Sequence, residues 1–102
     1  MSAPPFNLIY TPSALAVLTE LAANANYRVK AKKVAKALRL LEQQGPQYPG
    51  LQTHLYQSVV GPNGEPLWES YVENKTPSAW RIWWAYGPGS DTLTIITVGP
   101  HP

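Results

Sequence analysis

The spacing of apolar positions changes once along the chain. Up to Gln44 they recur every three or four residues, and from His54 onward they mostly alternate. Phe6–Tyr10 (FNLIY) also alternates and predicts a short strand. In the next stretch, TPSALAVLTELAANAN, Thr11 can cap a helix and Pro12 can open it. Leu15, Leu18, Leu21 and Ala22 supply its apolar spacing, and Asn24 and Asn26 suit its end. A second helix is predicted from about Arg28 to Gln44, before the Gly45-Pro46 stop, with Val34, Ala37, Leu38 and Leu41 as its stripe. The two helices make a hairpin.

Beyond His54, HLYQSVV and LWESYVE flank the turn signal GPNGEP. AWRIWWAYG and TLTIITV then flank GPGSD. These runs predict an antiparallel meander sheet of three to four strands. The fold class is therefore α+β: a short N-terminal strand, a helical hairpin, then the meander, with the helices on one face of the sheet. Residues 1–102 read as a single domain, and the Pro-containing lead-in 1–5 is expected to be disordered.

Strand parity sorts the side chains. Closing the first hairpin symmetrically about GPNGEP pairs His54 with Glu73, Tyr56 with Tyr71 and Ser58 with Glu69. Leu55, Val59, Trp68 and Val72 then share a core face. His54, Tyr56, Ser58, Glu69, Tyr71 and Glu73 share the other. An arginine buried without a partner is costly, so Trp80, Ile82 and Trp84 are expected inward. Arg81 and Trp83 then join the polar face. The last strand is apolar on both faces, and its orientation stays open.

Charge adds one feature. The net charge is only +2, but six of the eight basic residues fall in the second helix. Arg28, Lys32, Lys36 and Arg39 share one face of it, flanked by Lys30 and Lys33. That row is either a solvated face or a site for phosphates or an acidic partner. The absence of cysteine excludes disulfides and thiolate metal sites. With no signal-peptide pattern and no long apolar run, the expectation is a cytoplasmic protein that does not enter a membrane. No metal-binding spacing, P-loop or dinucleotide fingerprint is present, so no cofactor is expected. The closing Pro100-His101-Pro102 is either a tail or an imidazole carried past the end of the last strand.

The order of elements and three stretches resemble the RelE/ParE superfamily of bacterial toxins. AWRIWWAYG resembles the family's aromatic-Arg strand, and LTIITVGPH its final segment. KVAKALRLLEQQGPQYPGLQTHLY resembles its second helix and the stretch leading into the sheet. The resemblance spans about Phe6 to His101. It implies a toxin that cuts messenger RNA on the ribosome without metal, by 2′-hydroxyl attack that leaves a 2′,3′-cyclic phosphate. In YoeB-like members the implied catalytic residues fall on Glu69 as base, Arg81 for the phosphate and His101 as acid. His54, Tyr71, Glu73 and Trp83 are further candidates, with Glu73 as a deputy base and Trp83 as a stacking platform for bases. Arg28, Lys32, Lys36, Arg39 and Lys75 would contact RNA. The resemblance also implies a cognate antitoxin, with the chain a monomer or part of a toxin–antitoxin heteromer. A ParE-like inhibitor of a target such as gyrase, or an inactive toxin-fold binding protein, remains the alternative. The lysines that RelE carries on the first meander strand are absent, and Pro102 stands where YoeB-like chains have a tyrosine.

Overall fold

The computed structural model describes residues 3–102. In chain order the elements are β1 (Asn7–Tyr10), α1 (Pro12–Ala23), α2 (Arg28–Gln43), β2 (His54–Val60), β3 (Pro66–Tyr71), β4 (Trp80–Tyr86) and β5 (Thr92–Pro100). Thr11 caps α1 as its side chain accepts from the Ala14 N–H at 3.1 Å, and Pro12 takes the first helical position. Asn24 and a single turn at Ala25–Tyr27 join the helices. Of the expected lead-in, residues 1–2 lie outside the described residues, while residues 3–5 are exposed at the surface.

The five strands form one sheet in the order β1-β5-β4-β3-β2. β2 to β5 are the antiparallel meander, and β1 adds a parallel fifth strand along β5. Both helices lie against one face. The core joins Ala14 and Leu21 of α1, Val34, Ala37, Leu38 and Leu41 of α2, and Ile82, Trp84, Leu93, Ile95 and Val98 of the sheet. Every member of the predicted α2 stripe is buried. Among the described residues no helix is long and apolar enough to cross a membrane.

Two irregularities correct the sequence-based register. The first hairpin pairs His54 with Glu69 and Leu55 with Trp68, because β2 carries a bulge between Tyr56 and Val60. The slip from the symmetrical register is an even number of residues, so parity survives while partners change. Leu55 and Val59, expected in the core, are exposed on the edge strand instead. A second bulge leaves Ile96 of β5 between the pairs Trp83↔Thr97 and Trp84↔Ile95. It turns Leu93, Ile95 and Val98 all toward the core, which resolves the two-faced apolar pattern of the last strand.

Candidate functional site

On the sheet face away from the helices, four side chains meet at one carboxylate oxygen. Glu69 of β3 is 2% exposed. Its Oε2 accepts from Arg81 Nε at 3.1 Å and lies 3.7 Å from both His54 Nε2 and His101 Nε2. Strand pairing creates the cluster: Glu69 sits opposite His54 on β2, and Tyr71 opposite Arg81 on β4. His101 is held by the continuation of the β5 ladder, its N–H donating to the Ala79 carbonyl at 2.9 Å. Gly99 stays in the sheet opposite Arg81. The histidine therefore reaches the site along the strand, not through a bend at Gly99.

Arg81 is almost fully engaged. Its Nη1 donates to the Glu73 and Trp80 carbonyls, and its guanidinium lies 3.6 Å over the Tyr71 ring. Nη2 has no hydrogen-bond partner among the described residues. Glu69 Oε1 and Trp83 Nε1 are buried without partners. The two histidines differ from their neighbours in exposure, with side chains 49% and 45% accessible for His54 and His101. Among the described residues no three His, Asp or Glu side chains are arranged to hold a metal ion. The arrangement offers a cation, a buried anion and two accessible imidazoles, a set suited to proton transfer at a phosphate.

No protein-family model and no curated protein sequence matches the chain. Solved structures do match its fold. The YoeB dimer from Staphylococcus aureus superposes with a TM-score of 0.68 at 12% identity, over 96% of this chain and 99% of that one. A YoeB/ParE toxin from Agrobacterium tumefaciens gives 0.64 at 11% identity, over 94% and 99%. The archaeal RelE–RelB complex from Pyrococcus horikoshii gives 0.59 at 12% identity, over 94% of each chain.

The fold is that of the RelE/ParE toxins.

Within this RelE/ParE fold the residues singled out from the sequence fall into two groups. Glu69, Arg81, His101, His54 and Tyr71 come together. Trp83 joins their face but is only 7% exposed, with Tyr56 against its ring at 5.8 Å, so it offers no open platform to a base. Glu69 is equally withdrawn, and a substrate hydroxyl cannot reach it as it stands. Glu73 is not a deputy base. Val72 and Glu73 both donate their N–H groups to the Trp80 carbonyl at 3.1 Å, a bulge that swings the Glu73 side chain to the helices. There Lys30 and Lys33 bind its two oxygens at 2.6 and 3.1 Å.

Burial alone would raise the Glu73 carboxyl, but hydrogen bonds from Lys30, Lys33 and the Trp80 N–H outweigh it and hold the group at about 2. Its stabilising effect is present above the ordinary carboxyl range and is lost as pH falls from roughly 4.5 toward 2. Glu73→Gln is expected to lower stability at pH 7 by about 1–2 kcal/mol, a figure reduced because Lys33 is half exposed. Urea unfolding between pH 2 and pH 7 should show a flatter acid decline in the variant than in the parent.

The basic residues are divided. Arg28, Lys32, Lys36 and Arg39 are exposed on α2, whose opposite side packs on the sheet. The core therefore separates the outward part of this row from Glu69. Lys36 and Lys33 instead rim a cleft of about 390 Å³ that Tyr71 and Glu73 also line. Lys75 is exposed in the β3–β4 loop. Sequence reasoning assigned no role to Lys30 and Lys33 beyond flanking the row. It also missed a buried chain in which Trp84 Nε1 donates to Ser70 Oγ at 2.9 Å and Ser70 meets Thr53 Oγ1 at 2.7 Å. The lysine pattern was visible, but the bulge that brings Glu73 to it has no sequence mark.

Proposed function

We propose that this chain is the toxin of a toxin–antitoxin pair and a metal-independent endoribonuclease that cuts messenger RNA on the ribosome. The observation that carries this reading is the convergence of Arg81, His54 and His101 on the Glu69 carboxylate. The reaction requires a base for the 2′-hydroxyl, an acid for the leaving 5′-oxygen and a cation for the phosphorane. Arg81 supplies the cation through Nη2, and His101 supplies the acid, its charge changing near neutral pH. Tyr71 holds the guanidinium plane from below. Lys33 and Lys36, at the rim of the Tyr71 cleft, and Arg28, Lys32, Arg39 and Lys75 further out, give salt-sensitive affinity for RNA phosphates. The likeness to an RelE–RelB complex supports an antitoxin as partner, and the row of cations on α2 suits an acidic one.

Expression of the wild type and Arg81→Lys from a tight promoter tests this reading. The wild type is expected to arrest growth and leave cleaved transcripts. The lysine variant keeps a charge but loses the planar fork, and transcript cleavage should fall about 100-fold. Equal cleavage by both would remove Arg81 from the chemistry. The burial of Glu69 favours a second reading, in which the cluster only braces the sheet and the protein acts by binding a target such as gyrase. Growth arrest with intact transcripts and induced DNA damage would select it.

A further inference from the structure

We infer that His54 is the catalytic base of this site, paired with His101 as acid, and that Glu69 is the anion that positions both. The inference rests on the ribonuclease reading and departs from it at the base.

Three observations carry it. Glu69 is nearly inaccessible and already accepts a hydrogen bond from Arg81, whereas about half of each imidazole is open to solvent. Both rings are also fixed in the same way. His54 Nδ1 lies 2.9 Å from the Gln52 carbonyl, and His101 Nδ1 lies 2.9 Å from the Pro102 carbonyl. A carbonyl oxygen only accepts, so each Nδ1 carries a proton and donates it. Nε2 is then the atom on each ring that gains and loses a proton, and both Nε2 atoms face the same carboxylate oxygen. Finally, their shared approach to Oε2 keeps the two Nε2 atoms within about 7 Å of each other. That is the order of a phosphoryl group with a hydrogen bond on either side.

The charged and titratable groups around the pair come from every neighbouring strand. Glu69 and Tyr71 stand on β3 and Arg81 on β4, with the Tyr71 ring edge-on to His54 at 6.0 Å. One carboxylate and one guanidinium offset each other, which leaves room for a single protonated imidazole beside a neutral one. In the reaction His54 Nε2 removes the proton from the 2′-hydroxyl. The O2′–phosphorus bond forms and the phosphorus–O5′ bond breaks. His101 delivers its Nε2 proton to O5′, giving a 2′,3′-cyclic phosphate and a 5′-hydroxyl. The pair then returns to its starting state by exchanging one proton with water.

The test uses a labelled messenger RNA, with and without ribosomes, and follows initial cleavage rate against pH. The wild type is expected to give a bell-shaped profile. His54→Ala should lose the acidic limb and about 100-fold or more in rate, and added imidazole should restore part of it. His101→Ala should lose the basic limb. Retention of the acidic limb and of the rate by His54→Ala would overturn the inference while leaving the ribonuclease reading intact. Absence of cleavage by the wild type under both conditions would overturn both. Imidazole ¹⁵N spectra give a readout independent of turnover. Both neutral rings should carry the proton on Nδ1, and the titration of each should move when the other is replaced; independent titrations would also overturn the pairing.

Discussion

Arg81→Ala is expected to cost about 3–5 kcal/mol of folding stability, the largest effect of any single charge removal in the molecule. The guanidinium bridges β3, β4 and the loop between them, binding Glu69, the Trp80 and Glu73 carbonyls and the face of Tyr71. Its loss strands the Glu69 carboxylate, which has one oxygen already unpartnered and almost no contact with water. An uncompensated buried charge is far costlier than the ion pair is favourable. The double variant Glu69→Gln/Arg81→Ala should therefore recover much of the loss. A double-mutant cycle by urea unfolding measures this, and simple additivity would deny the coupling. For a domain of this size each kcal/mol corresponds to roughly 4–8 °C in melting temperature. Activity comparisons at Arg81 accordingly belong to the lysine variant, which keeps the charge beside Glu69.

Trp84→Ala should be nearly as damaging, at about 3–5 kcal/mol. The ring is wholly buried at the centre of β4, stacked on Trp68 at 6.2 Å and met edge-on by Tyr86 at 4.8 Å. Its Nε1 also satisfies Ser70, itself fully buried. Trp84→Phe separates the two contributions. It keeps most of the packing but removes the donor, and about 1–2 kcal/mol should be lost. Chemical denaturation of both variants checks the order, which should be alanine well below phenylalanine, and phenylalanine below the parent.

Much of this architecture could be read from periodicity. The caps and stripes of both helices obey local rules, and the structure keeps them nearly residue for residue. Parity put Arg81, Glu69, Tyr71 and His54 on one face, because alternation survives any slip by an even number of residues. The partners within that face were not legible. The β2 bulge decides that His54 meets Glu69, and it depends on how the edge strand drapes over β3. Glu73 followed parity into the wrong face, since a bulge beside a loop cancels alternation without any residue to announce it. The burial of Trp83 and Glu69 was equally hidden, because it arises from Tyr56 and the two histidines folding over them from neighbouring strands. β1 was recognised as a strand, but its parallel place beside β5 depends on the helical hairpin returning the chain across the sheet.

The unpaired Ile96 has a consequence for how this chain can vary. Removing that one residue would restore an unbroken ladder while inverting everything downstream of it. Val98 would swing out of the core, and the imidazole of His101 would swing to the helical side of the sheet. Lengthening the strand by one residue would do the same. Substitutions on either side of the bulge change one side chain at a time, but insertions and deletions there act on the whole terminal segment at once. The segment between Ile95 and His101 is thus free to drift in sequence and fixed in length, and a chain of this kind that keeps the histidine must also keep the count.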